Sequence, residues 1–217
     1  SGKKPSLVFR MEEQVGGLDF THKETEFVDL NRDKLLFNSL TNEGPHMAKG
    51  DVNNDGLEDI FICNGKGSPA ALYLQDKQGV FRKINEIVFE EDKISEDTDC
   101  AFFDADGDGD PDLYVASGGN EFSTSSSALC DRLYFNDGKG NFTKSAQILP
   151  AGKYESTSCV QPADFDNDGD IDLFVGIRLI PFSYGLPANG YLLENEGYGN
   201  FTDVSAKKAQ SVSSEIL

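Results

Sequence analysis

Positive charge is scarce in this 217-residue chain: 19 lysines and arginines stand against 38 aspartates and glutamates, a formal net charge of −19. So acidic a surface repels phosphate backbones and anionic lipid, which excludes nucleic acid and an anionic membrane surface as partners. Histidine is nearly absent. His22 and His46 are the only bases that titrate near neutrality, neither has a motif linking it to a nucleophile, and both read as surface or loop residues. Lys66-Gly-Ser68 lacks the upstream glycine spacing of a phosphate loop. The four cysteines (Cys63, Cys100, Cys130, Cys159) form no CxxC pair and no metal spacing with the histidines. Their even number permits two disulfides in an oxidising compartment, but ordinary buried thiols are expected. No apolar run approaches the roughly 18 residues of a membrane span, and no signal peptide is visible. Ser1-Gly2 has the look of a cleaved-tag scar.

What the chain has instead is aspartate in register. Asp164-Phe-Asp166-Asn-Asp168-Gly169-Asp170-Ile-Asp172 runs into Leu173-Phe174-Val175. Two like charges about 4 Å apart repel by roughly 4 kcal/mol at an effective dielectric of about 20, so the carboxylates at positions 1, 3, 5 and 9 call for a cation among them. An oxygen-only donor set suits a hard cation, calcium above all. Gly169 permits the sharp turn that brings the main-chain carbonyl of Asp170 inward. The design recurs in Asp51-Val-Asn53-Asn-Asp55-Gly56-Leu57-Glu-Asp59 before Ile60-Phe-Ile62, and in Asp104-Ala-Asp106-Gly-Asp108-Gly109-Asp110-Pro-Asp112 before Leu113-Tyr-Val115. An EF-hand would need an acidic ligand at position 12 and flanking helices. Position 12 is Ile62, Val115 and Val175 and the flanks are β-branched and aromatic, so the EF-hand and the helical dockerin module are excluded and the loop must close at position 9, between two strands.

The first aspartates of the loops lie 53 and 60 residues apart, the scale of one supersecondary unit. Each unit reads as a short strand (46–49, 99–103, 159–163), the acidic loop, an apolar strand (59–63, 112–116, 172–176) and a third strand (71–74, 132–135, 190–193). A glycine hairpin then leads to a fourth: Gln75-Asp-Lys-Gln-Gly79-Val-Phe81, Asn136-Asp-Gly-Lys-Gly140-Asn-Phe142 and Asn195-Glu-Gly-Tyr-Gly199-Asn-Phe201. The phenylalanines read as core. Asn141-Phe-Thr143 and Asn200-Phe-Thr202 match a glycosylation acceptor but belong to this hairpin repeat. The fold class is therefore all-β: a propeller segment of about three four-stranded antiparallel blades. The expected divisions are an N-terminal partial blade or edge-covering extension over 1–45, blades over 46–97, 98–157 and 158–205, and the start of another blade or a tail over 206–217.

With these loops and hairpins the chain resembles the FG-GAP/VCBS repeat family, whose propeller repeats also build the N-terminal domains of integrin α chains, and within it the large bacterial surface proteins related to cartilage acidic protein. The match covers roughly residues 20–205. The resemblance implies that each loop joins the first two strands of a blade and binds calcium, about three ions in all. The side-chain ligands it implies are Asp51, Asn53, Asp55 and Asp59; Asp104, Asp106, Asp108 and Asp112; and Asp164, Asp166, Asp168 and Asp172. Leu57, Asp110 and Asp170 would give main-chain carbonyls. Asn53 replaces a carboxylate, so the first loop should bind more weakly. Family propellers close with about seven blades, which makes this chain a segment of a longer protein whose exposed edges are covered by residues 3–45 or by self-association.

First-to-second strand loops lie on one face of a blade and second-to-third loops on the other, so two long loops oppose the acidic ones: 118–130 and 178–189. The second displays Phe182 and Tyr184 beside Arg178, groups suited to gripping a sugar or a protein. The linker from Glu86 to Asp99, with Glu90, Glu91 and Asp92, reads as a solvated acidic face. The expected function is non-enzymatic recognition or adhesion on a cell surface, extracellular and on the bacterial outer surface, with a protein or carbohydrate partner and structural calcium. A propeller-type polysaccharide lyase or hydrolase and a structural spacer are the alternatives.

Overall fold

The computed structural model describes residues 16–36, 39–42, 44–150, 154–183 and 185–208. The apolar piece Leu7-Val-Phe9, Phe37, Tyr184 and most of the tail lie outside them. Twelve strands form three four-stranded antiparallel sheets, each in simple sequence order. The first is β1 (Met47–Gly50), β2 (Asp59–Ile62), β3 (Ala71–Gln75) and β4 (Phe81–Ile84); the second is β5 (Asp97–Phe103), β6 (Asp112–Ser117), β7 (Arg132–Asn136) and β8 (Phe142–Lys144). The third is β9 (Ser156–Ala163), β10 (Asp172–Leu179), β11 (Gly190–Asn195) and β12 (Phe201–Asp203). These are the blades read from the hairpin and loop repeats. The first strands β1, β5 and β9 neighbour one another, so the sheets fan out from a common inner edge as an open run of blades rather than a closed ring.

Burial follows from position in the run. All six residues of β6, in the middle blade, are buried because its sheet has a neighbour on both faces. In the third blade β10 buries Leu173 and Val175 against the second blade, whereas Phe174 on the other face is exposed. One core joins blades one and two through Phe61, Leu72, Leu113 and Tyr134, and another joins blades two and three through Tyr114, Leu133, Leu173 and Tyr191. The hairpin phenylalanines Phe81, Phe142 and Phe201 are all buried. On the first blade's outer face Tyr73 and Phe81 pack with Leu18 and Phe20 of the N-terminal segment. The Phe81 N–H donates to the Gly16 carbonyl at 2.8 Å, which ties the segment to that blade's outer strand.

The linker between the first two blades is a solvated acidic face only in part: Glu90 and Glu91 are exposed, as expected, but other residues of the linker are drawn inward. It carries a short helix, α2 (Glu86–Glu90), whose Phe89 wedges between Phe61 and Tyr134 in edge-on contacts at 5.2 and 5.4 Å. Asp92 accepts the Tyr134 hydroxyl at 2.7 Å, and Glu96 and Asp97 are buried. The helix buries the ring of Phe89 while keeping the neighbouring Glu90 and Glu91 in water. The cysteines divide as well: Cys63 and Cys100 are buried and Cys159 is exposed, so buried thiols describe only part of the set.

Candidate metal loops and the opposite face

Each acidic loop is first a self-bonded turn. Its opening aspartate accepts two loop N–H groups: Asp51 from Asp55 and Gly56, Asp104 from Gly107 and Gly109, Asp164 from Asn167 and Gly169, at 2.7–3.2 Å. These bonds need a left-handed residue at position 6, and glycine supplies it, with φ of +85°, +93° and +102° at Gly56, Gly109 and Gly169. The position 5 aspartates turn to the N–H two residues on, Leu57, Asp110 and Asp170, each at 2.9 Å.

The closing aspartate has a second task. Asp59, Asp112 and Asp172 are wholly buried. One oxygen of each accepts the N–H of loop position 2 (Val52, Ala105, Phe165) at 2.9–3.1 Å. The other accepts from the end of the third strand (Gln75, Asn136, Asn195) at 2.8 Å. Each carboxylate thus pins its loop to the far side of the sheet. The Asn136 side chain carries the link onward, its Nδ2 donating to the Val52 carbonyl of the preceding blade at 2.8 Å, as Asn195 does to Ala105. Sequence reading took these asparagines for turn chemistry alone. Gln75 standing in their place in the first blade is the one trace of the second role.

Ligand oxygens converge in two loops. Asp104, Asp106 and Asp112, and likewise Asp164, Asp166 and Asp172, offer one atom each within 4.8 Å of one another. These are positions 1, 3 and 9; Asp108 and Asp168 at position 5 are outside the triads, and in the first loop Asn53 takes the place of the third acid. Burial, and then the neighbouring aspartates, push the Asp106 and Asp172 carboxyls up and Asp112 up to about 6. Asp166 differs: the Lys208 ammonium hydrogen-bonds it and holds its carboxyl low. Its Oδ1 is buried without a partner. A compact all-oxygen anionic set with an unsatisfied oxygen fits a hard divalent cation.

The same repeat is recognised by comparison. A family model described as FG-GAP-like repeat matches residues 51–115 and 104–175, each stretch running from the start of one acidic loop through the next, together more than half of the chain. The chain belongs to the FG-GAP-like repeat family. No curated protein matches it. In this FG-GAP-like chain the two matched stretches overlap over 104–115, the second loop and the start of β6.

The opposite face is crossed by the N-terminal segment. Asp29, at the start of α1 (Asp29–Arg32), is fully buried and accepts from Ser39, Leu40, Thr41 and the Asn120 side chain at 2.6–3.1 Å. The loop over 118–130 is therefore held in place, with Phe122 and Leu129 buried in a small core of their own beside Tyr154. Phe182 remains 62% exposed, and the Arg32 guanidinium stacks on its ring at 4.3 Å. His22 pairs with Glu24 at 2.5 Å, and His46 lies 3.6 Å from Asp99. Arg132, fully buried, pairs with Asp97 at 2.5 Å.

Beside that pair, Glu96 is buried and accepts the Lys66 N–H at 2.7 Å. Burial, with Glu24, Glu121 and Asp97 close by, raises its carboxyl from 4.5 to about 8. The unfolded chain ionises Glu96 first, so its contribution to stability is full below about 4.5 and is lost as the pH rises to about 8. Urea unfolding in chelator at pH 6 and pH 8 should show Glu96→Gln gaining about 1–3 kcal/mol on the wild type between the two. Parallel pH profiles for the two proteins would refute the assignment.

Proposed function

We propose that this chain is a non-catalytic module, stiffened by structural calcium, that presents a recognition or adhesion surface at a cell surface. The propeller-repeat architecture stands independently of that reading. The observation that carries it is the pair of equivalent aspartate triads at positions 1, 3 and 9 of successive loops. Repetition of one donor set at one place in the repeat is what selection for a bound cation produces. Hydrogen bonds account for the aspartates at positions 1 and 9, but the third carboxylate, at position 3, adds repulsion that a cation would relieve. Extracellular modules bind calcium at roughly 0.1–1 mM, which suits an extracellular setting and not calcium-poor cytosol. The face opposite the loops offers the Arg32–Phe182 stack, a rigid aromatic and a cation of the kind that grips a carbohydrate ring or a protein side chain. Equilibrium dialysis against millimolar calcium should load at least the second and third loops. Protein emerging with no bound calcium would end the proposal.

A further inference from the structure

The second and third loops share a triad but not an environment. In the second, Asp106 accepts the Asp108 N–H at 3.3 Å and is faced by Asp104 and Asp108. In the third, the equivalent Asp166 is met by an ammonium: Lys208 Nζ lies 2.8 Å from Asp166 Oδ2 and 2.8 Å from Glu194 Oε2. The ammonium also sits 5.0 Å from the centre of the Phe165 ring, at loop position 2. The lysine is not placed there by a loose chain. It ends α3 (Ser205–Lys208), which is anchored to the blade by Val204 N–H to the Leu192 carbonyl at 2.9 Å and by Leu192 N–H to Ser205 Oγ at 2.8 Å. The Lys208 N–H closes the turn onto the Val204 carbonyl at 2.9 Å.

Resting on the calcium reading above, we infer that Lys208 is a resident counter-cation of the third loop, whose charge opposes calcium at Asp166. Asp166 Oδ1 is open to a dication while the ammonium holds Oδ2, and the two positive charges on one carboxylate repel. Binding and docking are then linked reciprocally. Lys208 weakens calcium at the third loop by the factor by which calcium weakens the hold of Lys208 on Asp166. The second loop, with the same triad and no ammonium on it among the described residues, binds without that competition. The fold thus grades its sites: the second fills first, and the third responds at higher calcium and loosens the hold of Lys208 on Asp166 as it fills.

Calorimetric calcium titration of the full chain tests this with two variants of equal charge change. Lys208→Gln should raise the affinity of one site by about three- to fivefold and leave the others within about twofold, the upper range expected of a solvent-accessible ion pair. Lys207→Gln removes the neighbouring charge, whose ammonium is not on Asp166, and should leave all sites within about twofold. Unchanged affinities in Lys208→Gln overturn the inference and leave the calcium reading intact, as does an equal rise in Lys207→Gln, which would mark a general charge effect. Absence of calcium binding in all three proteins overturns both.

Discussion

Chelation of calcium should lower the melting temperature of this chain by roughly 10–20 °C. In about 10 mM calcium, 100 times a dissociation constant of about 0.1 mM, a ligand that binds only the folded state adds roughly 2.7 kcal/mol per site. Two loaded triads therefore contribute about 5 kcal/mol, and a domain of this size shifts by roughly 2–4 °C per kcal/mol. The blades should survive chelation as a folded but less stable protein, because each loop is already closed by hydrogen bonds from its own N–H groups to Asp104 and Asp112 or their equivalents. What calcium removes is the repulsion within Asp104, Asp106 and Asp112 and within Asp164, Asp166 and Asp172. Thermal melts by circular dichroism in calcium, in EDTA, and in EDTA with excess magnesium provide the measurement. Magnesium's demand for a tighter octahedral shell predicts little recovery. A melt that moves by less than about 3 °C on chelation would remove structural calcium from the account.

The features legible in the sequence are those whose causes are local. Ligand spacing in a nine-residue loop and glycine at its sixth position are set by neighbouring residues, and so are the Asn-Asp-Gly and Gly-Asn hairpins. The three blades and their strands, to within a few residues, followed from them. What stayed hidden depends on partners far along the chain. Asp112 looks like one ligand among four until Asn136, 24 residues on, is seen to donate to it. Asn120 reads as part of a variable loop, yet Asp29 and Asp33, some 90 positions earlier, hold it. Lys208 carries no motif at all, and its meeting with Asp166 is a product of where α3 leaves the sheet. Composition misled in one place. Glu90 and Glu91 do face solvent, as their charge suggests, but the Phe89 ring beside them packs in the core and Glu96 and Asp97, further along the linker, are buried.

The same distinction separates two aspartates that a ligand count treats alike. Replacing Asp112 by alanine should cost roughly 2–4 kcal/mol even in EDTA, whereas replacing Asp106 should cost less than about 1 kcal/mol there and show its effect only with calcium present. Asp112 is wholly buried and satisfies the N–H groups of Ala105 and Asn136, both themselves buried. Alanine leaves both donors without acceptors at about 1–3 kcal/mol each. The ionised carboxylate is costly at that depth, as the rise of its pKa to about 6 records, so relief of that cost trims the loss without cancelling it. Asp106 is half-buried and accepts a single long bond from the next turn of its own loop, so its removal without metal relieves repulsion as much as it loses contact. Urea unfolding of both variants, with and without calcium, gives the four values needed. Equal losses for the two variants in EDTA would mean that position 9 acts through the metal alone, and that the bonds tying each loop to its third strand add little. The fully enclosed position of Asp59, Asp112 and Asp172 argues for the other outcome. A carboxylate needed only for an ion at the loop's surface has no reason to be wholly buried.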